Sequence, residues 1–331
     1  MKKFFLTIAI LALTLAVASG CDGGGNPSDS GVTVIRALQS GDHLSLDLAR
    51  EGFVAGLAEE GWVEGEDGNL DFQWFSAGGD MSVANAMAQQ IVDDNPDLIL
   101  GIATTTSQFL AQTTESIPIV ITAVTDPLRA DLVESLERPG RNVTGTSDLS
   151  PVEEQFNLIV RLFPDAQTIG IIYNPGEINS QVLAEMAESA AHSRGLGFER
   201  VPISAPADAA QATEFIVSQV DVLYTPACNT VAQSIAVIAA TAEESNVPIL
   251  GGNENHVRNG ALATFGVNYY RLGRQASLMA ATILRDEDTP ANMPIQWQSE
   301  HNLVINTAAA QRLNIPISPE ILSEADVIVE E

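Results

Sequence analysis

The sequence predicts an α/β protein built as two doubly wound, Rossmann-like lobes with parallel sheets. Three observations predict it. Strand-like runs alternate with amphipathic stretches along the chain. The runs Leu98-Ile99-Leu100-Gly101-Ile102 and Ile169-Gly170-Ile171-Ile172-Tyr173 are apolar without alternation, as strands covered by helices on both faces are. A length of 331 residues suits two domains of roughly 100–200 residues better than a single core.

The first segment does not belong to that fold. Lys2 and Lys3 precede an apolar run over residues 4–18 that ends in Ser19-Gly20-Cys21, the pattern of an export signal spanning residues 1–20. Val17-Ala18-Ser19-Gly20-Cys21 resembles the bacterial lipobox, which implies that Cys21 becomes a lipidated N-terminus. Residues 22–30 are polar and glycine-rich, so residues 21–30 read as a lipidated flexible tether and the folded body begins near Gly31. Only Cys228 remains to pair with Cys21, so no disulfide framework is written.

In the body, residues 32–38 are β-rich, and Leu46, Ala49, Phe53 and Leu57 then recur at three- and four-residue spacing, giving a strand and an amphipathic helix. The alternation continues with strands at 70–75, 97–103, 118–123 and 142–146 and helices at 81–93, 107–115 and, briefly, 130–137. A second set starts with the helical stretch 151–163. It carries strands at 167–173, 198–203, 220–225 and 247–250 and helices near 180–194, 209–219 and 230–245.

Composition excludes several functions. A net charge of −28 repels phosphate backbones, which excludes nucleic-acid binding, and is read as solvation suited to a salty medium. With 45% hydrophobic residues the chain is not a disordered one. Neither G-x-G-x-x-G after a strand nor a Walker loop occurs, and G-x-S-x-G is absent. His43, His192, His256 and His301 lack metal-ligand spacing, so no cofactor or metal is expected. Cys228 is the one lone thiol that an enzyme would use, and a buried small residue is the competing account.

Doubly wound sheets place their sites at the C-terminal ends of strands. Thr104, Thr105 and Thr106 follow such a strand and lead into a helix, where free N–H groups and hydroxyls suit a carboxylate. Asp126, Asp148 and Glu177 on other strand-end loops offer acceptors for an ammonium group. The same residue types also serve as ordinary helix caps. Trp74, Phe75, Tyr173, Phe265, Tyr269 and Tyr270 lie near these loops and can wall an apolar ligand or pack in the core. His43 either donates to a ligand or caps the helix that follows it.

Longer stretches carry a resemblance: Leu48-Ala49-Arg50-Glu51-Gly52-Phe53, Thr122-Ala123-Val124-Thr125-Asp126-Pro127, Asn142-Val143-Thr144-Gly145-Thr146-Ser147-Asp148, Tyr173-Asn174-Pro175-Gly176-Glu177-Ile178-Asn179-Ser180 and Asn259-Gly260-Ala261-Leu262-Ala263. From Val32 onward the chain resembles the substrate-binding lipoproteins of ABC transporters whose characterised members capture aromatic amino acids. The resemblance implies a type I periplasmic-binding-protein fold with ligand held between two lobes. Lobe one would comprise 31–148 plus about 269–299, and lobe two 149–268 plus about 300–331, with crossovers near 148, 268 and 299.

The family's ligand loops map onto Thr104, Thr105 and Thr106, Thr125 with Asp126, Ser147 with Asp148, Asn174 through Glu177, Asn179 and Ser180, and Asn229 with Thr230. Where many members carry Thr-Asp-Asn-Thr, this chain has Ala227-Cys228-Asn229-Thr230, so an acid is missing and Cys228 stands at a ligand position. The expected function is capture of a small amino-acid-like ligand, aromatic or hydrophobic, and delivery to an ABC permease and ATPase by a monomeric protein lipid-anchored in the cell envelope. A ligand-sensing module for a membrane receptor and an enzyme using Cys228 are the alternatives.

Overall fold

The computed structural model describes residues 31–330. The export signal at 1–20, lipidation at Cys21 and the tether at 21–30 fall outside these residues. The first sheet is laid down by β1 (Thr33–Gln39), α1 (Leu44–Glu59), β2 (Leu70–Ser76), α2 (Met81–Asp93), β3 (Leu98–Ile102), α3 (Thr104–Thr113), β4 (Ile119–Val124) and β5 (Val143–Ser147). Every residue of β3, β4 and β5 is buried, which is why their sequences show no polar alternation.

The second sheet follows with α4 (Val152–Leu162), β6 (Thr168–Tyr173), α5 (Ile178–Ser193), β7 (Gly197–Pro202), α6 (Ala209–Ile216), β8 (Val222–Thr225), α7 (Asn229–Glu244), β9 (Ile249–Gly251), α8 (Glu254–Arg258) and β10 (Ala263–Gly266). The chain then returns to the first half through α9 (Tyr269–Leu284) and β11 (Gln296–Trp297). It finishes on the second half with β12 (Asn302–Asn306), α10 (Thr307–Arg312), α11 (Pro319–Glu324) and β13 (Val327–Val329). Strand order is β11-β5-β4-β3-β1-β2 in one sheet and β13-β12-β10-β9-β8-β6-β7 in the other.

Both sheets carry helices on both faces. In the first half, Leu46, Ala49, Phe53 and Leu57 of α1 join Leu272, Ala276 and Met279 of α9 on one face, while Ala88, Ile91 and Leu110 cover the other. α1 and α9 approach closely because a Cβ on Gly52 would strike the Tyr270 carbonyl and one on Gly273 the Ala49 carbonyl. In the second half Phe156 stacks edge-on against Tyr224, ring centroids 5.4 Å apart, on the α4–α5 face. Val231 and Ile238 of α7 line the opposite face.

Two expectations are corrected. Residues 130–137 form turns, not a helix. Asp131 takes a left-handed φ of 55°, held by the Arg141 guanidinium, which donates to its carbonyl at 2.8 Å and its carboxylate at 3.0 Å. Ala130, Leu132 and Val133 still reach the core, so the apolar spacing recorded burial and not helix. The second sheet is also not wholly parallel, because β12 runs antiparallel to β10 where the chain re-enters from the first half. Among the described residues no helix is long and apolar enough to cross a membrane.

Candidate functional site

The C-terminal ends of the two sets of strands face one another across a cavity of about 520 Å³. Ser40, Asp80, Met81, Thr105 and Thr106 line it from the first half, and Asn174, Glu177, Pro206, Asn229, Thr230 and Gln233 from the second. Beneath it lies a chamber of about 10 Å³, about the space of one water, lined by His43, Thr125, Asp148, Asn179, Cys228, Asn229 and Tyr269 among others.

Local backbone strain shapes the first-half side. Ala103 (φ 79°) and Ala123 (φ 56°) sit in the left-handed region that alanine avoids, at the ends of β3 and β4. Ala123 lies where the β4–β5 register shifts, and Ala103 directly precedes α3. Thr106 Oγ1 donates back to Ile102 O (2.6 Å) and Ser107 Oγ to Ala103 O (2.7 Å), so those hydroxyls are spent. Thr104 Oγ1 is buried with no partner, and so is Ser40 Oγ at the end of β1.

The helices α3, α5 and α7 all start at the cleft, and none is capped by the side chain at its own N-cap position. Glu177 supplies the missing cap of α7 from 52 residues away. Its Oε2 accepts from Asn229 N (3.0 Å) and Nδ2 (2.8 Å), and its Oε1 from Thr230 N (3.0 Å) and Oγ1 (2.5 Å). Cys228 Sγ adds a weak donor at 3.6 Å. A fixed carboxylate thus occupies the helix end where a bound anion would otherwise sit. Asn174 braces the cluster, donating to Thr230 Oγ1 (2.8 Å), while its own N–H donates to Ser180 Oγ (2.9 Å).

His43 joins the two halves, its Nε2 lying 3.3 Å from Asn229 Oδ1. Because Asn229 Nδ2 is committed to Glu177, its Oδ1 must accept, which places the proton on Nε2 and leaves Nδ1 a bare acceptor. Burial lowers the His43 pKa despite the Asn229 hydrogen bond and the nearby carboxylates, so the ring stays neutral. Nδ1 is buried without a partner, as is Asn179 Oδ1, whose amide nitrogen donates to Ala227 O at 3.2 Å.

Asp148 is fully buried between Thr125 Oγ1 (3.0 Å) and Tyr269 OH (2.7 Å). Burial pushes its carboxyl above the usual range, outweighing those two hydrogen bonds. Burial, then the neighbouring Asp148, likewise raises the Tyr269 phenol. Burial and the Glu177 charge push the Cys228 thiol far up, so it is a neutral thiol, not a nucleophile at neutral pH.

The expected residues therefore divide. His43, Thr125, Asp148, Asn179, Cys228 and Asn229 meet at the inner chamber, and Thr105, Thr106, Asn174, Glu177 and Thr230 at the outer cavity, with Asn229 lining both. Thr104 and Ser180 are buried and line neither cavity. Asp126 and Ser147 line a different cavity, where Asp126 Oδ1 accepts from Leu128 N (3.1 Å) and Arg129 N (2.9 Å).

Of the six aromatic residues only Tyr269 reaches the site. Arg50 stacks over Trp74 at 3.9 Å, Phe75, Tyr173 and Phe265 pack against the cores, and Tyr270 is exposed. The outer cavity is walled instead by Met81, Ala84, Ala205 and Pro206. These, with Ser40 and Gln233, were not among the expected residues. Most follow the edge strands β2 and β7, and applying the strand-end rule to those strands locates them.

Gln233 seals the outer rim. A Cβ on Gly41 would overlap its amide, and one on Gly79 would crowd it, so the two glycines leave room for that side chain where it stands. Arg129 and Glu185 pair across the two halves at 2.6 Å.

Comparison with known proteins agrees with this geometry. Residues 32–329 match the family described as ABC transporter substrate binding protein. A tyrosine-binding protein of Clostridioides difficile strain R20291 is 33% identical over 323 residues, covering 95% of this chain and 93% of that protein. The ABC domain of Streptococcus pneumonia solved in complex with L-Trp is 34% identical, with TM-score 0.87 over 90% of this chain and 100% of that one.

A ligand-free, open substrate-binding protein with adhesive properties from Clostridium difficile is 32% identical, covering 91% of this chain and 100% of that one, but superposes with TM-score 0.69. The arrangement of the halves is thus nearer to the complex with L-Trp than to the open form. More distant solute-binding proteins share the type I periplasmic-binding fold. On matches that run from the first strand to the last, the chain belongs to the ABC transporter substrate-binding protein family.

Proposed function

We propose that the protein captures a small amino acid with an aromatic or hydrophobic side chain in the cleft, closes over it, and hands it unchanged to an ABC permease. The observation that carries this reading is the pair of buried, unpartnered acceptors at the inner chamber, His43 Nδ1 and Asn179 Oδ1, beside the Asp148 carboxyl. Buried polar atoms without partners are costly, and an ammonium group entering the chamber would satisfy them.

The ligand carboxylate then belongs at the start of α3, near Ser40 and Thr104, because Glu177 already fills the start of α7. The side chain points outward between Met81 with Ala84 and Ala205 with Pro206. A cavity of about 520 Å³ has room for a two-ring side chain. The tyrosine and L-Trp named for two relatives support this class of ligand.

Closure is a population shift. The ligand bridges both halves, so it favours the state in which His43 meets Asn229 and Arg129 meets Glu185. No group in the cleft is set up to make or break a bond, and Cys228 is held as a neutral thiol. The reading includes export, lipid anchoring through Cys21, action as a monomer and the lobe division at about 148, 268 and 299.

The test is calorimetric titration of the mature protein with L-tryptophan, L-tyrosine and L-phenylalanine, alongside tryptamine and indole-3-propionate. The amino acids should bind, and removing either charged end should weaken binding at least about tenfold. Asn179→Ala should weaken the amino acids and tryptamine but not indole-3-propionate. No binding by any amino acid would overturn the reading.

A further inference from the structure

A second cavity, of about 220 Å³, lies where the chain passes three times between the two sheets. Leu149 follows β5, Val267 follows β10, and Trp297 with His301 flank the passage from β11 to β12, so each crossing supplies a wall. Pro127 and Leu136 complete an apolar interior. Leu149 and Trp297 remain 42% and 56% exposed, large apolar surfaces that an occupant would cover.

The polar groups limit what fits. Ser147 Oγ donates to Thr125 O (2.8 Å) and accepts from Leu149 N (3.2 Å), and the Gln298 amide is spent on both backbone groups of Asn268. His301 Nδ1 faces Glu154 at 3.2 Å. Asp126 uses only Oδ1, on two backbone N–H groups, and its Oδ2 is left to accept. An apolar slot of this size beside a carboxylate takes a compact ring with a donor and repels an anion.

Thr125 lines this cavity and the inner chamber alike. Its carbonyl is gripped by Ser147 and its hydroxyl holds Asp148, which in turn holds Tyr269 of α9. We propose that this cavity is a second small-molecule site, for a compact aromatic ring bearing an N–H donor and no carboxylate, whose occupancy changes affinity in the cleft. The coupling rests on the cleft reading above, whereas the site itself does not.

Indole is the probe. Ligand-observed NMR on the mature protein should show saturable indole binding that L-tryptophan does not abolish. Leu149→Trp, which fills the slot, and Trp297→Ala, which removes a wall, should each weaken indole at least about tenfold; both positions are exposed, so both variants should fold. Saturating indole should change the L-tryptophan Kd at least about threefold in the wild type and leave it unchanged in Leu149→Trp, and L-tryptophan should change the indole Kd by the same factor. Asn179→Ala should lose L-tryptophan and keep indole, so failure of the cleft reading is visible separately. Indole binding that is absent, that survives both variants, or that L-tryptophan abolishes overturns the site. An unchanged L-tryptophan Kd under saturating indole overturns the coupling.

Discussion

Replacing Glu177 by alanine should cost both stability and ligand, by an amount the structure sets. The carboxylate caps α7 by accepting from two backbone N–H groups and two side chains, at 2.5–3.0 Å. Loss of a cap costs about 0.5–2 kcal/mol. Loss of a negative charge at a helix N-terminus adds about 0.3–2 kcal/mol. Together these amount to about 1–4 kcal/mol, or about 2–6 °C in melting temperature for a protein of this size.

Glu177→Gln keeps the shape but turns an NH2 toward donors, and should recover only part of the loss. The assay is thermal unfolding with and without acetate, because a small carboxylate can re-enter the vacated helix end and restore part of the melting temperature. Ligand affinity should fall as well, since Glu177 orients Asn229, which meets His43 across the cleft. A Glu177→Ala protein that melts within about 1 °C of wild type and ignores acetate would refute the capping role.

Acid should destabilise the fold through His256, whose pKa burial lowers to about 3 from 6.5. Between those values the proton binds only the unfolded chain, so stability is full above pH 6.5 and falls at about 1.4 kcal/mol per pH unit as pH drops toward 3. Urea midpoints at pH 7 and pH 5 for wild type and His256→Asn check this, since the variant should lose that part of the slope. Gly41→Ala should displace the flexible amide end of Gln233 without parting the halves, so ligand affinity should fall less than about tenfold and the radius of gyration by small-angle scattering should stay at the wild-type value. Cys228 should resist iodoacetamide at pH 7 in the folded protein and react once urea exposes it, whereas rapid labelling of the native state would contradict its buried, neutral thiol.

The strand-end loops were legible because continuous apolar runs mark strands buried on both faces, and the residues after them follow directly. That reasoning located His43, the Thr104–Thr106 turn, Asn174, Glu177 and Asn229. It did not show that Glu177 turns its carboxylate to a helix end 52 residues away, because a side chain's partner is set by the packing of α5 beside α7. The same holds for Asp126, whose loop leaves β4 toward the chain crossings and not toward the cleft. At 130–137 the spacing of Ala130 and Val133 was real, yet the Arg141 clamp on Asp131 satisfied the burial without a helix.

What the sequence alone determined is the alternation of strands and helices, and with it the rims on which polar side chains gather, since period and burial are local consequences of side-chain type. Which of those polar atoms spend their hydrogen bonds on the protein, and which do not, was decided only when the distant helices converged. His43 Nδ1 and Asn179 Oδ1 are left without partners by contacts between distant segments, and no local pattern encodes that outcome.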